Sequence, residues 1–261
     1  MATPNQASNV VHLRRSQPEG QLSLLLPLLV ESLIPARFHS ADLTYIGRSI
    51  DGHDYAIKTT DDHPLLPASE FLCYQLASAC NLAVPFSAVM DLADGKLAFG
   101  SRFEGGIYEV PTYGPRQQFE ALAESANGVS ATLAFDLFVG NADRHIGNFL
   151  FRKNQAKQWT ITGIDFSRAF LVRQFPNDEF PLRPDSHTRK TIALMKDRQL
   201  WQGPFAVNSI SRLLNVQRGH LEHWFKEMPP EWLSVQDQNT LMEWWQSPAF
   251  HKRVTEVLQL L

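Results

Sequence analysis

The stretch NADRHIGNFLF, residues 141 to 151, sets Asp143, His145 and Asn148 among apolar residues, and IDFSRAF, residues 164 to 170, does the same for Asp165. The neighbours agree on local structure. SATLAFDLF before the first motif reads as a helix, NFLF as a strand, and the run into Asp165 as a second strand. A fold for this chain has to bury those runs and hold three polar side chains rigidly at their ends. Asn and Asp also form turns and cap helices, so each position taken alone has a structural role open to it. His145 has two structural roles open to it, as a satisfied core histidine or as a brace bonding the backbone carbonyls of its loop, and bracing is preferred over direct catalysis.

The remaining periodicity splits the chain. In ADLTYIGRSIDGHDYAIKTT, Leu43 and Tyr45, then Tyr55 and Ile57, alternate with the period of two that strands need, around an Asp51-Gly52 turn. VPFSAVMDLADGKLAFGSRF predicts a second strand pair about Asp94-Gly95. Between the two, PASEFLCYQLASAC changes to a helical period, with Phe71, Leu72, Leu76 and Ala79 on its apolar side, Pro67 at its start and a stop near Asn81. After a Gly105-Gly106 break the pattern predicts helices over 116–125, 129–139, 188–198, 206–213, 217–226 and 236–261, interrupted by the short strands FLFRKN and WTITGIDF. The expected organisation is α+β: a flexible N-terminal arm over 1–20, a small strand-rich lobe over 21–104 and a larger helical lobe over 105–261.

With 44% hydrophobic and 11% aromatic residues, 261 residues suffice for a sizeable core. A net charge of -3, from 24 basic and 27 acidic residues, gives no electrostatic reason to expect direct nucleic-acid binding or a membrane-surface role. Cys73 and Cys80 lie seven apart on one expected helix, too far along its axis to bridge, which fits reduced core thiols and a cytoplasmic home. LSLLLPLLV, at 22 to 30 after Arg14 and Arg15, loosely imitates a secretory apolar region. Glu19 interrupts its basic flank, and the run falls short of the roughly 20 residues a membrane span needs, so the expectation is a short packed helix. The tryptophans of HLEHWFKEMPPEW and LMEWWQ stand at helical spacing and are read as core.

Phosphoryl transfer asks a protein for positioning and charge neutralisation more than for covalent chemistry. One carboxylate must orient the attacking hydroxyl, and oxygen ligands must hold Mg2+ against the phosphates. Asp143 and Asn148, five apart, have the spacing of a catalytic aspartate and a metal-binding asparagine, and Asp165 stands where a second metal ligand is needed. Upstream, YAIK ends a strand with Lys58, which can reach phosphate oxygens, and Glu70, twelve residues on, could pair with that lysine. The bland alternatives are a solvated strand end for Lys58 and a first-turn carboxylate favoured by the helix dipole for Glu70.

On these residues the sequence resembles a protein-kinase-like fold, and most of all the HipA-like kinases of bacteria, whose catalytic loop has the form N-x-D-x-H-x-x-N. Here that loop reads Asn141, Asp143, His145 and Asn148. SRFEGG resembles the family's hinge through Arg102, Phe103 and Glu104, which implies that backbone groups around Ser101, Arg102 and Phe103 bond the adenine of ATP. D-R-H-x-x-N followed by I-D-F is also the form found in phosphoinositide kinases, which are usually much longer chains with basic lipid-facing surfaces.

The sequence departs from the kinase pattern at two places. Ser167 stands where many kinases have glycine, implying a stiffer metal-binding turn. The loop over Gly47 to Gly52 lacks the G-x-G-x-x-G spacing, leaving Ser49 and nearby amides as phosphate contacts and, by the resemblance, Ser49 as an autophosphorylation site. What the resemblance implies is an ATP- and Mg2+-dependent Ser/Thr protein kinase, with a protein substrate and, for a growth-arresting toxin, an antitoxin partner. An ATP-binding pseudokinase and a kinase of lipids or small molecules are the competing expectations. A metal hydrolase would leave Lys58, Glu70 and the hinge-like stretch unexplained.

Overall fold

A computed structural model describes residues 11–12, 26–36, 45–92, 94–103, 115–175 and 182–261. Most of the expected arm, Leu43, Glu104 and the Gly105-Gly106 break lie outside the described residues. The chain divides into two compact units, one of residues 1–67 and 86–103, the other of residues 68–85 and 104–261. This differs from the linear division expected from sequence, because most of the first helix belongs to the second unit.

The first unit is built on one sheet. Its strands are β1 (Val11–His12), β2 (Leu28–Pro35), β3 (Tyr45–Ser49), β4 (Asp54–Lys58), β5 (Ser87–Asp91) and β6 (Leu97–Arg102), in the order β1-β2-β3-β4-β6-β5. A parallel pairing of β2 with β5, Leu28 opposite Met90, closes five of them into a ring. Both expected hairpins form, with Tyr45 opposite Ile57 in the first and Val89 opposite Phe99 in the second. Asp51 fastens the first turn, accepting the His53 N–H at 3.0 Å and the Tyr55 hydroxyl at 2.7 Å. Gly52 and Gly95 sit at φ 81° and 87°, the left-handed conformation that an Asp-Gly turn uses glycine to reach.

Val30, Tyr55, Ile57, Met90, Leu92 and Ala98 fill the core of the sheet. Gly100 leaves room for this packing, since a Cβ there would come within 2.5 Å of the Met90 side chain. Two expectations fail in this unit. The apolar run from Leu28 belongs to a strand, not a packed helix, because β2 finds three pairing partners, in β1, β3 and β5, and pairing outweighs the helix propensity of leucine. Within the expected arm, Val11–His12 pair with Leu33 and Ser32.

The second unit holds α1 from Ala68 on (Leu66–Ala79), α2 (Pro115–Glu124), α3 (Ala126–Val139), the strands β7 (Phe149–Lys153) and β8 (Trp159–Gly163), and then α4 (His187–Asp197), α5 (Gly203–Leu213), α6 (Arg218–Glu227), α7 (Val235–Trp244) and α8 (Pro248–Leu260). The single helix expected over 236–261 is two. Gln246 takes φ 61°, and Ser247 caps a new start before Pro248 by accepting the Phe250 N–H at 3.3 Å. Helix α1 is buried continuously from Leu66 to Tyr74, so it lacks the polar side expected to carry Glu70, and Ala79, placed on its apolar side, is exposed. Its neighbour α3 is buried almost throughout and ends at Gly140, φ 70°, whose N–H returns to the Asp136 carbonyl. Trp224, Trp232 and Trp245 are buried as expected, Trp245 donating its indole N–H to the Val216 carbonyl at 2.7 Å. Both cysteines are free and buried, and burial pushes the Cys80 thiol up to about 12. Among the described residues no helix is long and apolar enough to cross a membrane.

Candidate active site

The loop after α3 is organised around one buried arginine that the motif spacing did not single out. Arg144 is fully buried and grips Asp136 of α3 with two bonds, Nε to Oδ2 at 2.7 Å and Nη2 to Oδ1 at 3.1 Å. Burial works against the guanidinium charge, but the charge and bonds of Asp136 outweigh it and hold the pKa above its ordinary value. The same guanidinium donates from Nη1 to the carbonyl of Asn148 at 3.0 Å and to the carbonyl of Ile164. It packs over the rings of Phe149 and Phe166, 5.5 and 4.8 Å from their centroids. One side chain thereby ties a helix end to the residues carrying Asn148 and preceding Asp165. The Ile164 N–H closes the link by donating to the Asn148 carbonyl at 3.1 Å.

Helix α4 locks the loop from the other side. Thr188 Oγ1 accepts the Arg144 N–H at 3.1 Å and bonds the Asn141 carbonyl, and Thr191 Oγ1 donates to the Arg144 carbonyl at 3.0 Å. Asn141 is buried, donates to Asp136 Oδ1 at 2.8 Å and accepts the Asp143 N–H at 3.2 Å. Asp143 is thereby held with its carboxylate partly exposed, 3.6 Å from Arg168 Nε and 3.7 Å from His187 Nδ1. Neither of those partners carried a signal in the sequence.

His145 is exposed, which rules out a core histidine, and its bracing has the opposite sense to the one expected. Its Nδ1 accepts the Gly147 N–H at 3.0 Å, so the ring braces the turn as an acceptor of a backbone N–H. Asn148 donates from Nδ2 to the Asp143 carbonyl at 3.0 Å, and none of the described residues bonds its Oδ1. Asp165 lies just past β8 at φ 63°, a left-handed conformation that aspartate tolerates better than most residues, with the Ser167 N–H on its Oδ1 at 3.2 Å.

Glu70 is buried and faces this turn. Its two carboxylate oxygens lie 3.2 and 3.3 Å from the Phe166 N–H, and Ser167 Oγ lies 3.0 Å from Oε1. Ser69 donates to the Ala169 carbonyl at 2.8 Å. The start of α1 therefore anchors the segment that follows Asp165. The Ser167 hydroxyl also bonds Asp165 Oδ1, so the side chain in place of glycine stands between the two carboxylates.

A Mg2+ ion prefers a few oxygen ligands and keeps water or phosphate oxygens for the rest. The unbonded Oδ1 of Asn148 and the carboxylate of Asp165 suit that demand. Among the described residues no group of three or more His, Cys, Asp or Glu could hold a metal by itself. The chemistry fits a cation completed by a ligand's own oxygens.

In the strand unit, Lys58 ends β4 as expected. Ser49 corrects the expectation placed on it. It is the last residue of β3, not part of a loop, is fully buried, and donates its hydroxyl to the Leu29 carbonyl at 3.0 Å. Closing the sheet through β2 consumes the group that was to meet phosphate. Ser101 lies in β6, paired with Ala56 and Ser87. The N–H groups of Arg102 and Phe103 are bonded to the carbonyls of Phe86 at 2.8 Å and Asp54 at 2.7 Å. Strand pairing therefore takes the two donors expected to meet adenine.

The sequence matches the family model described as HipA-like kinase over residues 34–258, most of its length. The chain belongs to the HipA-like kinase family. Its structure resembles that of the proinflammatory kinase CtkA of Helicobacter pylori at a TM-score of 0.52, with 11% identity, covering 83% of this chain and 94% of that one. That likeness shows a kinase fold. HipA of Shewanella oneidensis MR-1, solved in complex with HipB and operator DNA, matches at a TM-score of 0.47 with 12% identity, over 94% of this chain and 65% of that one. No curated protein matches the sequence.

Proposed function

We propose that this HipA-like kinase uses ATP and Mg2+ to phosphorylate a Ser or Thr hydroxyl of a protein, with the strand unit and the helical unit as its two lobes. Asp143 orients the acceptor hydroxyl. Asn148 and Asp165 hold Mg2+, which when bound neutralises charge on the phosphates. Lys58 supplies a further cation for those phosphates, and backbone groups of residues 101–103 left unbonded by strand pairing face the nucleotide. Glu70 is a positioning residue that anchors the turn behind Asp165. The observation that carries this reading is the Arg144 guanidinium, which bonds Asp136 and the carbonyls of Asn148 and Ile164 together. A catalytic loop and a metal-binding turn fixed to one buried cation are preorganised, which is the main thing phosphoryl transfer requires.

Family membership motivates a cytoplasmic toxin role opposed by an antitoxin partner. The D-R-H-x-x-N and I-D-F matches motivate one second reading, a kinase of phosphoinositides.

The deciding experiment incubates the full chain with γ-labelled ATP and Mg2+, alone, with cell lysate and with phosphoinositide vesicles, beside Asp143→Ala. Label on protein from the wild type, reduced by about 10²- to 10⁴-fold in Asp143→Ala, is expected if the carboxylate assists the hydroxyl as proposed. Label on lipid alone would establish the second reading. Nucleotide binding without turnover on any acceptor would make the chain a pseudokinase.

A further inference from the structure

A cavity of about 390 Å3 opens on the helical unit among the end of α1, the start of α3, strand β8 and α5. Its size falls within the roughly 300–1,000 Å3 typical of small-molecule sites. None of its lining residues belongs to the catalytic or metal set described above. Three of its lining side chains carry a buried polar atom with no hydrogen-bond partner among the described residues: Ser125 Oγ, Ser209 Oγ and Arg212 Nε. They are the unpartnered buried side-chain atoms found among the described residues, and all three converge on this one cavity.

Leaving such donors dry costs about 1–3 kcal/mol each, so the gathering calls for an acceptor. Ser125 stands at the N-cap position of α3, yet its backbone angles, φ -96° and ψ 8°, are not those of a capping residue and its hydroxyl bonds no first-turn N–H. Ser209 is 2% exposed and faces the same space from α5. The rest of the lining is largely apolar, with Trp159 and Ile161 of β8 buried and Phe205 left 46% exposed. A ligand with an acceptor head and an apolar body would satisfy both halves.

Charge narrows the head group. Glu124 lines the cavity beside Arg212, with one carboxylate oxygen accepting the Trp159 N–H at 2.9 Å. One cation and one anion suit a singly charged head better than a phosphate dianion. We infer that this cavity is a binding site for a small monocarboxylate with an apolar body, whose carboxylate takes up the free donors of Ser125, Ser209 and Arg212.

The test follows the indole N–H resonance of Trp159 in NMR spectra of the full chain, assigned by its loss in Trp159→Phe. Phenylpropionate, phenylpropionamide and phenyl phosphate are each titrated into the millimolar range. Phenylpropionate is expected to shift the Trp159 resonance saturably, with the amide about tenfold weaker, the scale of one charged hydrogen bond. Arg212→Gln, checked for wild-type melting, should weaken the acid by about tenfold and leave the amide unchanged. Ser209→Ala, which keeps the charge, should weaken it by a smaller factor. An unmoved Trp159 resonance, equal binding of acid and amide, or undiminished binding by both variants would overturn the site. Tighter binding of phenyl phosphate would overturn the choice of a carboxylate.

Discussion

The two ends of α3 treat buried polar groups in opposite ways. At the C-terminal end, both oxygens of Asp136 are bonded, Asn141 uses its amide and its carbonyl, and Arg144 spreads its donors over a carboxylate and two backbone carbonyls. At the N-terminal end, Ser125 and the facing Ser209 and Arg212 each keep an atom unbonded beside a cavity. Full bonding fixes geometry, which suits a loop that must hold Asp143 and Asn148 before any ligand arrives. Unspent donors suit a place where the ligand itself supplies the missing bonds.

The sharpest way to break this contrast is Asp136→Asn, which keeps the shape and removes the charge opposing a buried guanidinium. Stripping one partner from a buried pair costs roughly 3–5 kcal/mol, and urea unfolding should show a loss of that size. Kinase activity should fall further than the unfolded fraction explains, because the Asn148 and Ile164 carbonyls share the displaced guanidinium. A loss below about 1 kcal/mol would show that the pair is not the organising centre of the loop.

That centre was only half legible in the sequence. Asp143, Asn148 and Asp165 could be read because their spacing is a chemical requirement, and both hairpins because Asp-Gly turns sit between alternating runs. Arg144 was hidden between Asp143 and His145, since spacing does not say which side chain of a loop turns inward. The available signal was its partner: Asp136 is the lone charge in ATLAFDLFV, an apolar helix, and a charge there needs a buried counter-charge. Ser49 and β2 were misread for a different reason. Whether a residue ends a strand or enters a loop, and whether a leucine-rich run pairs or coils, depends on partners far along the chain. Glu70 was picked out for its spacing from Lys58, whereas its hold on the Phe166 N–H and Ser167 joins residues nearly a hundred positions apart.

A smaller effect at the same end of α3 is expected from Thr188→Val, which keeps the volume and deletes the hydroxyl between the Arg144 N–H and the Asn141 carbonyl. Leaving that buried N–H without an acceptor should cost about 1–3 kcal/mol in the same urea series. Loosening Asn141 should also lower kcat more than it alters the KM for ATP. Unchanged stability would mean that α4 merely lies against the loop.

The smallest expected effect lies at the other end. Ser209→Ala removes a hydroxyl that bonds nothing among the described residues, so stability in urea should stay within about 0.5 kcal/mol of the wild type, or rise slightly. That near-neutral result is informative only beside Thr188→Val, since both delete one buried hydroxyl from the same unit. Phenylpropionate should then separate the two cases. It should raise the midpoint of wild type and Thr188→Val alike, and raise that of Ser209→Ala by less, because a ligand that binds only the folded chain stabilises it in proportion to its affinity. A loss in Ser209→Ala as large as in Thr188→Val, without any ligand, would mean that the hydroxyl is already satisfied by water, and the contrast between the two ends of α3 would fall.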